Sequence, residues 1–161
     1  MMDIRFHILN EFVQKFIVCE STYSHSGKKK KLNFNINNYP KFKDKISYIV
    51  IDEEPPNIIG DKNGLAKPFE KRSDSLKRIN LSYDYMIKAL SDVNENDLII
   101  LSDNDEIPNL NSKQFKNSKK DILIFKQLFF YYKFNLLYDL IPWYGSKAVK
   151  KKKLVSMSWL R

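Results

Sequence analysis

Three short, mainly apolar runs stand out from an otherwise polar chain: "FIVCE" at 16–20, "ISYIVID" at 46–52 and "DLIILS" at 97–102. Each is rich in β-branched residues and too short for a helix that must bury a face, so each predicts a buried strand. Leu76, Ile79, Tyr83, Ile87 and Leu90 instead recur every three or four residues and predict a long helix over 71–91. Ile4, Ile8, Leu9 and Phe12 have the same spacing and predict an amphipathic helix within 2–15. The stretch "DILIFKQLFFYYKFNLL" (121–137) reads as two further strands, or one strand bent near Lys126. Polar "STYSHSGKKKK" (21–31) reads as a loop, and Pro55-Pro56 forbids continuation of the second strand. The segment 57–68, with Gly60, Gly64 and Pro68, reads as an excursion. Alternating helices and buried strands predict an α/β fold with a largely parallel sheet, in a single domain spanning 1–161.

Composition adds mainly exclusions. At 43% hydrophobic and 14% aromatic, the 161 residues can bury a core. No apolar run approaches the roughly 20 residues of a membrane span, and the start, "MMDIRFHILNEF", does not resemble a signal peptide. A cytoplasmic location follows as the default, with peripheral membrane association allowed. One cysteine, Cys19, excludes an internal disulfide, and its apolar strand suggests an inert core thiol. Two histidines are too few for a His-rich metal site, and the four glycines form no phosphate-cradling loop. Phosphate chemistry would therefore need Lys, Arg or a cation held by carboxylates.

Charge sharpens that point. The chain has 28 Lys and Arg against 19 Asp and Glu, yet Asp103, Asp105 and Glu106 crowd the end of the "LIIL" strand. Asp103 and Asp105 are two apart, so in an extended segment both carboxylates leave on one side. Like charges about 4 Å apart repel by roughly 1 kcal/mol in water, and more near a protein surface. A hard divalent cation relieves that repulsion and leaves positions for substrate phosphates. In open α/β sheets ligands bind beyond the carboxyl ends of strands, where both Glu20 and Asp103 fall. An exposed, acidic turn that binds nothing is the competing reading.

The surrounding motifs favour the first. "SDNDEIP" (102–108) resembles the "SDxDEIP" segment of glycosyltransferase family 17. "FIVCESTYSHSGKKKKLNF" (16–34) resembles that family's strand and Thr-His-Ser-Gly loop, and "FFYYKFNLL" and "WYGSKAV" are similar to its later aromatic and Trp-Gly segments. The resemblance implies a GT-A-like, Rossmann-type, mostly parallel sheet flanked by helices. Set against the family's usual order, it also implies a partial domain, without the first strand and the C-terminal part.

The implied function is metal-dependent transfer of N-acetylglucosamine or a related sugar from a UDP-sugar donor to a glycan acceptor, with inversion. Manganese or magnesium would be the cofactor, held by Asp103 and Asp105, with Asp103 also free to meet the donor ribose. Glu20, Ser21, His25 and Gly27 would contact the donor. Glu106 is the candidate catalytic base, or else braces the loop. Trp143, Trp159 and the aromatics at 129–132 read more readily as core than as sugar platforms, Trp143 being the better exception. Two other functions stay open: a metal-dependent nuclease or phosphotransferase using the lysine clusters at 28–31 and 150–153, and a non-catalytic nucleotide-sugar-binding fragment. Lysine clusters are also ordinary solvated surface, which makes nucleic acid an unlikely partner.

Overall fold

The computed structural model describes residues 1–60, 64–133 and 135–161. The fold is mixed α/β, and the chain forms two compact units, one of residues 15–92 and one of 1–14 with 93–161.

In the 15–92 unit, strand β1 (Phe16–Ser21) pairs in parallel with β2 (Ile46–Ile51), in register from Phe16↔Ile46 to Ser21↔Ile51. Parallel neighbours need a long crossover. Here it runs through residues 22–45 as a loop and two 3₁₀ turns, at Ile36–Asn38 and Pro40–Lys45, which bury Phe42. Helix α2 (Pro68–Lys88) packs on both strands. It starts three residues earlier than its apolar spacing predicts, because Pro68 presets the first turn and the Glu70 carboxylate accepts from the Lys67 amide at 2.7 Å. Asp74, buried on this helix, accepts from the amides of Ile59 (3.1 Å) and Gly60 (2.8 Å) and so anchors the start of the excursion. Positions 61–63 of that excursion lie outside the described residues, as does Phe134.

In the other unit, helix α1 (Met2–Leu9) is shorter than expected, and of the predicted apolar positions Leu9 alone turns inward. Phe6 and Leu9 are buried, whereas Ile4, Ile8 and Phe12 are exposed. After Asn10 the backbone closes into tight turns, with the amides of Phe12 and Val13 both donating to the Leu9 carbonyl, so the helical periodicity cannot continue to 15. Strand β3 (Leu98–Leu101) follows as predicted, then the short helix α3 (Lys113–Lys116), β4 (Ile122–Ile124) and β5 (Gln127–Phe130). The bend near Lys126 is therefore a real break between two strands. Two further strands, β6 (Leu137–Trp143) and β7 (Lys147–Lys150), had no clear apolar alternation to announce them.

Strand β7 lies between β3 and β4 and is antiparallel to both. Among the described residues, parallel pairing is thus confined to β1–β2, which corrects the expectation of a largely parallel sheet. The physical cause is the β5–β6 hairpin, an antiparallel ribbon that returns the chain so that β7 enters the sheet reversed. Ala148 and Val149 on this central strand are fully buried, and helix α4 (Met157–Leu160), itself burying Met157 and Leu160, packs against the strand. Among the described residues, no helix is long and apolar enough to cross a membrane.

Candidate functional site: the acidic turn after β3

The end of β3 delivers Ser102 to Glu106 into a tight turn. The Glu106 amide donates to the Asp103 carbonyl at 3.1 Å, while the Glu106 carboxylate reaches back to accept from the Asp103 amide at 3.0 Å. This reciprocal bonding sets the turn locally, and buried Pro108 and Leu110 anchor its exit.

Glu106 is the keystone. Its side chain is 6% exposed and both oxygens are occupied. Oε1 accepts from Trp143 Nε1 and from an Arg161 NH2, each at 3.1 Å. Oε2 accepts from Arg161 NH1 at 3.0 Å in addition to the Asp103 amide. Burial alone would raise its pKa, but the Arg161 and backbone hydrogen bonds and the Arg161 charge outweigh it, and Trp143 adds to them, so the pKa is lowered. Gly145 is required here because a Cβ at that position would fall on the Glu106 carboxylate and the Trp143 indole nitrogen.

Two arginines balance the acids. Arg161 NH2 pairs with Asp103 Oδ2, and NH1 also donates to the Gly145 carbonyl at 2.8 Å. Arg5, on α1, donates to the backbone carbonyls of Asp103 and Glu106. Asp103 nonetheless has a raised pKa: partial burial dominates, Glu106 and Asp105 add negative charge, and the two arginines pull against them. Asp103 and Asp105 are both exposed. Among the described residues, no three His, Cys, Asp or Glu side chains gather into a ready-made cation site. Asp103 and Asp105 are the two carboxylates here that could take a hard divalent ion, which uses one or two carboxylates, with Asp103 Oδ2 already engaged by Arg161.

The other predicted donor contacts lie in the 15–92 unit. Glu20, at the end of β1, accepts five hydrogen bonds: from Lys30 Nζ, from the Asn33 amide and side chain, from the Phe34 amide, and from the Tyr48 hydroxyl. A carboxylate offers about four lone-pair sites, so these partners fill it. Burial pushes its pKa up, but Lys30 and the two amides hold it down at about 2. Ser21 Oγ accepts from the Tyr23 amide at 3.0 Å, closing the start of the loop. His25 is exposed and its carbonyl accepts from Arg78 NH1 at 3.0 Å. Gly27 has φ +86°, and a Cβ there would collide with the Arg78 guanidinium, which is itself forked onto Glu54 at 2.7 and 3.1 Å.

Arg5 and Arg161 were invisible to motif reading. Arg161 is 55 positions from Glu106, Arg5 is 98 from Asp103, and no local spacing flags such partners. The lysine clusters prove partly committed to structure: Lys30 to Glu20, Lys150 to Asp121 at 2.7 Å, and Lys151 to Glu95 at 3.2 Å.

The model of glycosyltransferase family 17 matches residues 1–156, and the chain belongs to that family. It is 30% identical over 112 residues to the Beta-1,4-mannosyl-glycoprotein 4-beta-N-acetylglucosaminyltransferase of Homo sapiens, and to the protein of the same name from Rattus norvegicus. Each match takes in 67% of this chain but 19% of the relative, so the chain spans a small part of the curated relatives it matches. No solved structure matches it.

Proposed function

We propose that this chain is a glycosyltransferase that moves N-acetylglucosamine or a related sugar from a UDP-sugar to a glycan acceptor, with inversion and with help from a divalent cation. The fold is then read as GT-A-like, with the turn after β3 as its DxD element. The observation that carries the proposal is the acidic turn itself: two exposed carboxylates, Asp103 and Asp105, held by a buried and saturated Glu106. Family membership supplies the reaction class.

Departure of a nucleoside diphosphate builds negative charge on its phosphate oxygens, and that charge sets what the site must do. Asp103 and Asp105 would hold manganese or magnesium, which when bound supplies Lewis-acid stabilisation of the departing diphosphate. Arg161, paired with Asp103 and Glu106, keeps the turn in shape and adds positive charge beside it. Glu106 is assigned to bracing rather than to proton abstraction. Its low pKa and four accepted hydrogen bonds make it a poor base near neutral pH. Ser21, His25 and Gly27 remain donor contacts on the family pattern, whereas Glu20 is assigned to ordering residues 30–34.

Calorimetric titration with UDP and UDP-N-acetylglucosamine tests this, with manganese and with chelator, on the wild type and on Asp105→Ala. Manganese-dependent binding that disappears in Asp105→Ala is the expected result. Absence of binding under every condition would remove the transferase reading for this chain.

A further inference from the structure

The aromatics at 129–132 and, less firmly, Trp143 read from the sequence as core, yet Phe130, Tyr131, Tyr132 and Trp143 are exposed. Every residue of β6 is exposed, Tyr132 reaches 87% and Trp143 keeps 39%. Exposed apolar side chains grouped on one hairpin are a signature of a binding face. We propose that the β5–β6 hairpin is a carbohydrate platform centred on Trp143, which takes a pyranose ring of the glycan acceptor beside the acidic turn. This rests on the transferase reading above.

Three features select a sugar. The rings are segregated and held. Phe129 stacks on Trp143 at 5.3 Å with planes 19° apart, and meets Tyr138 and Tyr131 edge-on at 6.0 and 6.3 Å, which gathers four aromatic side chains on one side of the ribbon. The ring faces suit sugar C–H groups and the Tyr131 and Tyr138 hydroxyls suit sugar hydroxyls, the Trp143 N–H being taken by Glu106. The ribbon is also electrically neutral: residues 127–144 contain one lysine, Lys133, and one acid, Asp139, in a chain of net charge +9. Nucleic acid or an anionic membrane would call for a basic surface. A neutral polar ligand fits this one.

The third feature is position. Trp143 Nε1 donates to Glu106 Oε1, and Glu106 braces Asp103 through its amide. The indole is thus locked by stacking on Phe129 and by a hydrogen bond at its edge, so it loses little freedom on binding. A ring seated on it would lie next to the residues assigned to the donor's diphosphate, where an acceptor hydroxyl has to arrive.

The chain has two tryptophans, so Trp159→Phe leaves Trp143 as the sole reporter. Titration with mannotriose and with chitotriose should give a saturable change in Trp143 emission. By ligand-observed NMR, Trp143→Ala should weaken that binding by about ten-fold, while Trp143→Phe retains most of it. Tyr138→Ala, on the same side of the ribbon, should also weaken it, which covers the case of a Trp143→Ala protein that does not fold. Equal affinity in wild type, Trp143→Ala and Tyr138→Ala, or no oligosaccharide binding by protein that does bind UDP-N-acetylglucosamine, overturns the platform. Failure to bind either ligand overturns the transferase reading instead. Self-association that Trp143→Ala abolishes, without sugar binding, would assign the face to a second copy and overturn the platform as well.

Discussion

Arg161 and Glu106 meet as a two-pronged ion pair across 55 positions of sequence, NH1 donating to Oε2 at 3.0 Å and NH2 to Oε1 at 3.1 Å. The fork matches the carboxylate plane, which is the strong geometry for such pairs. It also places the Arg161 charge on Asp103, so one side chain ties the acidic turn to the Gly145 backbone.

Removing one partner of a buried pair leaves an uncompensated charge, which costs more than the pair contributes. Arg161→Leu should therefore destabilise the protein by about 3 kcal/mol. Adding Glu106→Gln should recover part of that loss, since the most buried carboxylate of the turn is then neutral. Urea unfolding of the two single variants and the double gives the coupling; strict additivity would show that the pair is incidental.

Asp105 contrasts with Glu106. It is exposed, and under the proposed function its part in the turn is to bind rather than to brace. Asp105→Asn should leave stability within about 0.5 kcal/mol of wild type while abolishing metal-dependent donor binding. A large drop in thermal midpoint would place Asp105 in the scaffold.

Glu20 makes stability depend on pH. Its folded pKa, near 2, is below the ordinary carboxylate range, so its contribution is full above that range and is lost as pH falls through it toward the folded value. Unfolding midpoints should decline between about pH 5 and about pH 2, and Glu20→Gln should flatten that decline at the cost of lower stability at neutral pH. Parallel curves for the two proteins would mean that Glu20 is not depressed in the folded state.

Gly145→Ala tests close packing rather than backbone freedom. The added Cβ would push apart Glu106 and Trp143. Overpacking of this kind costs typically 1–3 kcal/mol, so a loss of roughly that size is expected. The Trp143 emission should shift as its Nε1 partner is lost, and an unshifted spectrum would count against the contact.

Burial raises the Cys19 thiol to about 11, and Sγ lies 3.8 Å from the Ser82 carbonyl. Iodoacetamide at pH 8 should alkylate it far more slowly in the native protein than in denaturant, as mass spectrometry would report. Equal rates would mean that the β1 face is open to solvent.

Much of the scaffold could be read from one dimension. β1, β2, β3 and α2 declared themselves because their signals are local: runs of β-branched residues, or apolar residues every third or fourth position. The acidic turn was equally legible, since a strand end, two aspartates and a proline all lie within a few residues. On α1, Leu9 is buried as its spacing suggests, but Phe6 takes the inward place rather than Ile4, Ile8 or Phe12, a choice that packing makes and spacing does not.

What the sequence determined by itself is therefore the set of short-range elements and the placing of carboxylates at a strand end. Tertiary structure decided the rest. It set strand direction, because β7 enters between β3 and β4 only after the hairpin has reversed the chain. It also decided which charges meet, because Arg5 and Arg161 reach the same turn from positions no local pattern connects. The aromatic ribbon remained exposed for the same reason: burial depends on what lies opposite a side chain, and that information is not local.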